Sequence, residues 1–194
     1  MNGDNAKEMT IEKTIATIRE LSKPALIAIS GFGGSGKSTT ARQIGAALDA
    51  PIIGVDSFWR TTDDEIYQRW EIVDYARLAR EVLQPFATGS RVLNYAEFDW
   101  SQNKIGEMKT ITVNDTLVVE GIGLFRSKLM KYFSYTIWIE CPIDVAVTRG
   151  KKRDRDEYGV PQDERWDGIW RENDLQCFEE FAPMKSADCI IKNY

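Results

Sequence analysis

The run Ala25-Leu26-Ile27-Ala28-Ile29-Ser30 leads directly into Gly31-Phe32-Gly33-Gly34-Ser35-Gly36-Lys37-Ser38-Thr39. An apolar stretch of that length, without polar alternation, suits a strand covered on both faces in a parallel sheet. From Lys37 to Leu48 the residues favour helix. A glycine-rich loop therefore joins a buried strand to a helix, and few architectures accommodate that junction. Pro51-Ile52-Ile53-Gly54-Val55 then reads as a second buried strand ending at Asp56.

Gly31, Gly36, Lys37 and Ser38 satisfy the pattern G-x-x-x-x-G-K-[ST] in the strand-to-helix setting that its physics demands. Glycines admit backbone angles closed to other residues, so successive N–H groups of Gly31, Phe32, Gly33, Gly34, Ser35 and Gly36 can turn inward on phosphate oxygens. The helix N-terminus reinforces the field. Lys37 is expected at the β- and γ-phosphates, the Ser38 hydroxyl on Mg²⁺, and Thr39 at the α-phosphate. The bland alternative is a glycine turn that caps a helix; strand, lysine and serine together favour the phosphate cradle.

The remaining segments continue the alternation. Met9, Ile11, Ile15, Ile18 and Leu21 give an amphipathic helix before Ser22-Lys23-Pro24, and Asp74 is an N-cap candidate for a helix through Leu83, stopped by Pro85 and the turn Thr88-Gly89-Ser90. Segments 91 to 99 and 109 to 113 read as a hairpin with a polar turn at Ser101 to Gly106. Leu117 to Val119 and Tyr135 to Ile139 are strands separated by a helix-compatible stretch from Leu124 to Tyr132. Helices follow over Ile143 to Lys152 and Glu164 to Phe181, and Asp188 to Ile191 is a final strand. The expected architecture is α/β: a P-loop NTPase fold with a mainly parallel five-stranded sheet flanked by helices. It forms a single domain over 1–194, with a hairpin insertion at about 91–113 and a mobile lid at about 149–163.

A phosphate loop specifies a nucleotide, not a reaction. Asp56, at a strand end facing the γ-phosphate, can accept a proton from an attacking hydroxyl and help hold Mg²⁺; equally, Asp-Ser is good turn chemistry. Glu120 ends an apolar strand, where an unpaired carboxylate is expensive, so a metal or substrate role is expected. Arg149, Lys151, Lys152, Arg153 and Arg155 crowd together beside Asp154, Asp156 and Glu157. Such a run is a solvated helix face or a lid closing over phosphates, with Arg153 the first choice for stabilising transferred charge, Arg149 assigned to the nucleotide and Arg155 to the acceptor.

Composition excludes several classes. Twenty-five basic against 30 acidic side chains give a formal charge of −5, which argues against general affinity for nucleic acid or anionic membranes. No apolar run approaches the ~20 residues of a membrane span, and the polar start Met1 to Glu8 lacks a signal-peptide core, so a cytoplasmic location is expected. Cys141, Cys177 and Cys189 form no C-x-x-C pair and read as reduced, buried thiols. There is no histidine, so a general base must be a carboxylate, lysine, cysteine or tyrosine.

With these residues in view, the chain resembles the uridine kinase-like branch of P-loop small-molecule kinases, which also includes phosphoribulokinase, pantothenate kinase and nicotinamide riboside kinase. The resemblance covers most of residues 24 to 192. It is carried by Gly33 to Ser38, Asp56-Ser57-Phe58-Trp59, Glu120-Gly121-Ile122, and Arg153-Asp154 followed by Gly159. It implies ATP and Mg²⁺ as cofactors, Asp56 as general base, Glu120 beside metal and substrate, and Arg153 in a phosphate-binding lid. Uridine kinases also carry an Asp-His-Pro segment, where Gln68-Arg69-Trp70-Glu71 stands here. They have a histidine after the hairpin, where Ser101-Gln102-Asn103 follows, and a second lid arginine, replaced by Tyr158. Asp74 to Leu78 and Tyr95-x-x-Phe98-Asp99-Trp100 are similar instead to a group of short bacterial-type homologues.

The expected activity is transfer of phosphate from ATP to a hydroxyl of a small metabolite, foremost a nucleoside or nucleoside-like compound. A kinase for a vitamin precursor or sugar phosphate and a regulatory NTPase are the alternatives. Trp59, Tyr95, Phe98 and Trp100 are either the aromatic wall of the acceptor pocket or ordinary core. Trp70, Trp138, Trp166 and Trp170 read as packing residues. The sequence leaves a homo-oligomer open.

Overall fold

The computed structural model describes residues 7–63 and 65–194; the first six residues of the polar start lie outside the described residues. In chain order the strands and helices are β1 (Lys7–Glu8), α1 (Ile11–Arg19), β2 (Ala25–Gly31), α2 (Lys37–Leu48), β3 (Ile52–Gly54), α3 (Tyr75–Leu78), α4 (Gln84–Ala87), β4 (Val92–Asp99), β5 (Lys104–Thr112), β6 (Thr116–Glu120), α5 (Ser127–Met130), β7 (Tyr135–Glu140), α6 (Ile143–Asp156), α7 (Asp163–Asp167), α8 (Ile169–Phe181), α9 (Pro183–Ser186) and β8 (Cys189–Lys192). The main sheet runs β1-β8-β7-β2-β6-β3, every pair parallel.

This corrects the expectation of five strands: the sheet has six. The addition is β1, two residues long, which pairs Lys7 with Cys189 and is tied by a Lys192–Glu8 ion pair of 2.7 Å. Two exposed charged residues carry no hydrophobic period, so nothing local announces them as a strand.

The central strand explains why the apolar run is continuous. All seven residues of β2 are buried, and they divide by period two. Ala25, Ile27 and Ile29 face a layer with Ile18 of α1 and Ala41 and Ile44 of α2. Leu26 and Ala28 face the opposite layer, with Leu117, Val119, Phe58 and Trp138. Each large aliphatic chain sealed this way contributes roughly 1.5–3 kcal/mol relative to exposure.

Several boundaries move from their predicted positions. Of the two predicted stops for the helix begun at Asp74, Pro85 does not end it and the turn at Thr88-Gly89 does. Residues Ala79–Leu83 form a widened π turn, and the helix continues to Ala87, because a proline with no N–H to give is tolerated after a turn whose bonding has already shifted. Asp74 does cap, accepting from the Arg77 N–H at 2.9 Å. Between Leu124 and Tyr132 only Ser127–Met130 is helical. The single helix predicted for 164 to 181 is two, because Gly168 sits at φ −106°, ψ −110°, angles that end α7 and restart the chain in α8. Helix α6 runs four residues past Lys152, and β5 begins at Lys104, so the hairpin turn is shorter than expected.

The hairpin stands apart from the main sheet as its own two-stranded ribbon, with a bulge between Ala96 and Phe98. Arg77 fastens it: the buried guanidinium donates to Ala96 O and to Ser57 O, both at 2.7 Å, and lies 4.6 Å over the Phe58 ring. Tyr95 stacks on Phe58 from the hairpin side, centroids 5.7 Å apart. Hairpin and Asp56 turn are thus positioned by one residue.

Candidate active site

The loop that follows β2 leaves the sheet at Gly31, beside Ile139 of β7. Gly34 and Gly36 take φ of +77° and +101°. At Gly34 a Cβ would lie 2.1 Å from Ala146 O of α6, so only glycine lets the loop lie against that helix. The Ser35 N–H donates to Phe32 O at 3.0 Å, and Asn193 Nδ2 donates to Ser35 O at 2.7 Å. Gly36 caps α2 without any side-chain bond to the helix. The first-turn donors of α2 thus open onto the cradle, the arrangement that anions occupy.

Lys37 is buried, and its ammonium donates to Phe32 O at 2.8 Å, folded back on its own loop. Burial pulls its pKa below the usual lysine value, while the carboxylates of Glu120, Asp174 and Asp56 oppose that fall. A buried ammonium that already faces three carboxylates can turn to phosphate oxygens without being desolvated afresh. Ser38 Oγ donates to Glu120 Oε1 at 2.9 Å. Thr39 Oγ1 accepts from Arg42 at 3.3 Å.

Glu120 ends β6, paired with Ile29 on one side and Gly54 of β3 on the other. The register brings Asp56, two residues beyond Gly54, alongside it. Asp56 does not end a strand as predicted; it lies in a 3₁₀ turn, Val55–Phe58. Its side chain is exposed to solvent, although many atoms surround the carboxyl. Crowding raises its pKa, and Lys37, then Arg153, then the Trp59 indole oppose the rise. Glu120, half-buried, is likewise raised by burial, with Lys37 opposing and Asp56 adding to the rise. Two like charges share one cation here.

Ser38, Glu120 and Asp56 offer only oxygen donors, which suits Mg²⁺. Among the described residues no group of three or more carboxylate, cysteine or histidine side chains could hold a metal alone. Mg²⁺ commonly relies on one or two carboxylates, waters and phosphate oxygens, so the donor set fits that ion in the company of a nucleotide.

The aromatic candidates divide. Trp59, Phe98 and Trp100 meet, with centroids 4.9 Å apart for Trp59–Trp100 and 5.0 Å for Phe98–Trp100. Tyr95 stands behind them on Phe58. Trp100 is 52% exposed, and the buried Trp59 Nε1 makes no well-formed hydrogen bond. That N–H is aimed at the Asp56 carboxyl closely enough to favour its charged form.

The arginines are held individually. Arg153 grips Asp154 through Nε and Nη2 at 3.1 and 2.9 Å, with its guanidinium 5.8 Å from the Trp166 ring. Trp166 Nε1 donates to the other Asp154 oxygen at 2.7 Å. Arg149 donates to Asn193 O at 2.8 Å, and Arg155 pairs with Asp163 at 3.1 Å.

Sequence reading missed Asp174 of α8. Its buried carboxylate accepts the Gly33 N–H at 2.7 Å and the Trp70 indole N–H at 2.7 Å. Burial lifts its pKa to about 6, against Lys37 and both donors. Trp70 and Trp166 do pack, as predicted, but each also donates its indole N–H to a buried aspartate. Asn193, which holds Ser35 O, was missed as well; a lone polar residue after a strand gives no signal of what it reaches.

No family model matches the sequence. Among curated proteins, the chain is 27% identical to a uridine kinase of Clostridium novyi over 87% of each chain. It is 24% identical to a uridine kinase of Saccharomyces cerevisiae, matching 98% of this chain and 41% of that protein. The chain spans less than half the length of this yeast relative and of a Schizosaccharomyces pombe uridine kinase. Among solved structures, one described as a possible uridine kinase from Bacillus stearothermophilus superposes with a TM-score of 0.69 at 18% identity, covering 93% of this chain and 96% of that one. The fold is thus that of the solved P-loop kinase described above, and the sequence is similar to curated uridine kinases.

Proposed function

We propose that the protein is an ATP- and Mg²⁺-dependent phosphotransferase acting on a hydroxyl of a small metabolite, foremost a nucleoside or nucleoside-like compound. The observation that carries this reading is the convergence of Asp56, Glu120 and Lys37 at the mouth of the loop, with the Trp59, Phe98 and Trp100 rings beside Asp56. Uridine is the acceptor named for the curated relatives. A planar base or sugar ring suits the aromatic wall.

Loop N–H groups and Lys37 bind the β- and γ-phosphates. Asp56 accepts the proton of the attacking hydroxyl, with a carboxyl whose raised pKa makes it a better base than a solvated aspartate. Arg153, released from Asp154, neutralises charge on the transferred group. Bound at Ser38, Glu120 and Asp56, Mg²⁺ would supply charge neutralisation between nucleotide oxygens. Positioning and electrostatics supply most of the acceleration.

The test is a screen of nucleosides, sugars and vitamin precursors by ATP consumption, with the phosphorylated product confirmed by mass. Asp56→Asn should lower turnover on the accepted compound by roughly 10²–10⁴-fold while nucleotide affinity holds. Full turnover in that variant removes Asp56 as base. ATP consumption indifferent to every acceptor replaces the kinase with a regulatory NTPase.

A further inference from the structure

Consecutive residues Arg69 and Trp70 occupy the left-handed region, φ +50° and +58°. Neither is glycine, asparagine or aspartate, so surrounding groups must hold them there. Helix α8 supplies them. Asn173 Oδ1 accepts the Trp70 backbone N–H at 2.9 Å, Gln176 Oε1 accepts that of Arg69 at 3.2 Å, and Cys177 Sγ donates to Arg69 O at 3.2 Å. Asp174, on the same helix, takes the Trp70 indole with one oxygen and the phosphate-loop Gly33 N–H with the other.

The segment so held leads to the acceptor side. Trp59 bridges to Val73, Arg60 N–H donates to Ile72 O at 3.0 Å, and Asp74 N–H donates to Phe58 O at 2.7 Å. The Trp59 and Trp70 rings lie 6.4 Å apart. One buried carboxylate is therefore common to the loop that would receive phosphate and the strap that sets the wall beside Asp56.

We propose that Asp174 is a positioning residue that couples the phosphate loop to the acceptor-side segment 67–73, so that filling the loop with nucleotide orders that segment. The acceptor side of this coupling rests on the kinase reading above; the coupling itself does not. Asparagine at 174 keeps the shape but has one acceptor oxygen, and its amide would face the second donor, so only one of the two links survives. Trp70→Phe removes the indole donor and leaves the Gly33 link intact.

The experiment is hydrogen–deuterium exchange on the full chain with Mg²⁺ and a non-hydrolysable ATP analogue. In the wild type, nucleotide should slow exchange in both the phosphate loop and residues 67–73, by about tenfold in the latter. In Asp174→Asn and in Trp70→Phe, protection of the loop should remain and protection of 67–73 should vanish. If either variant melts early, the other still decides. Persistent protection of 67–73 in a folded variant, or none in the wild type, overturns the coupling. A protein that shows the coupling but phosphorylates no acceptor would refute the kinase reading and leave this one standing.

Discussion

Asp174 keeps its charge where burial resists it, and that resistance is measurable. Its folded pKa of about 6 lies above the ordinary 3.8, so between these values the native state binds a proton that the unfolded chain has released. The native preference for the protonated form is complete below the unfolded value and is lost as pH rises through the folded one. The difference amounts to on the order of 3 kcal/mol. Asp174→Asn cannot titrate, so wild-type stability relative to this variant should fall as pH rises from about 4 to about 6 and level off above. Denaturant melts of both proteins across that range check it; a constant difference would remove the raised pKa. None of this could be read from the sequence. An aspartate in a predicted helix is ordinary, and its partners Gly33 and Trp70 are brought to it only by the assembled fold. That Asp56, Glu120 and Lys37 come together was legible, because each lies at or beyond the carboxyl end of a buried strand and chain direction fixes the end they share. The pairing of Arg155 with Asp163 was not, since within a charged run no periodic signal singles out one partner.

Helix α6 lies close against both the loop and α7, and two glycines around it carry opposite consequences. At Gly150 an added Cβ would meet Trp166 Cζ2 at 2.3 Å, whereas at Gly159, with φ +67°, nothing lies within 4 Å. Gly150→Ala should therefore cost roughly 1–3 kcal/mol by overpacking and push Trp166 off Asp154, leaving the Arg153–Asp154 pair in place. Gly159→Ala should cost only the left-handed penalty of roughly 1–2 kcal/mol and leave the Trp166 environment unchanged. Chemical denaturation together with tryptophan fluorescence distinguishes the two; equal spectral changes would mean that α6 and α7 are not packed this way. Elements defined by neighbouring residues were legible in advance: α2 was bounded to the residue, and the strand before the loop to within one. The division at Gly168 was not, because its apolar neighbours maintain a helical period that only the backbone angles interrupt.

For the molecule as a whole, the proposed function makes folding depend on nucleotide, because the site exists only when assembled. At a hundredfold excess over its dissociation constant, ATP adds about 2.7 kcal/mol to stability. For a chain of 194 residues that is a rise of roughly 5–10 °C in Tm, taking 2–4 °C per kcal/mol. A thermal melt with ATP and Mg²⁺ should show it, and chelating the metal should reduce it; an unmoved midpoint at millimolar ATP would count against the loop as a nucleotide site. Among the described residues no helix is long and apolar enough to cross a membrane. The parallel sheet was legible from continuous apolar strands; its sixth member was too short to be.

The order of that sheet also governs how the chain can reach its native state. Ile27 in the central strand is flanked by Val118 on one side and Tyr135 on the other, so the strand that launches the loop gains neither neighbour until most of the sequence exists. Pairings this distant along the chain make folding slow. During synthesis the glycine loop emerges long before Glu120 and Asp174, and a nascent fragment that carries the full motif has no nucleotide site. On the proposed reading, binding competence therefore arrives late and together with the sheet.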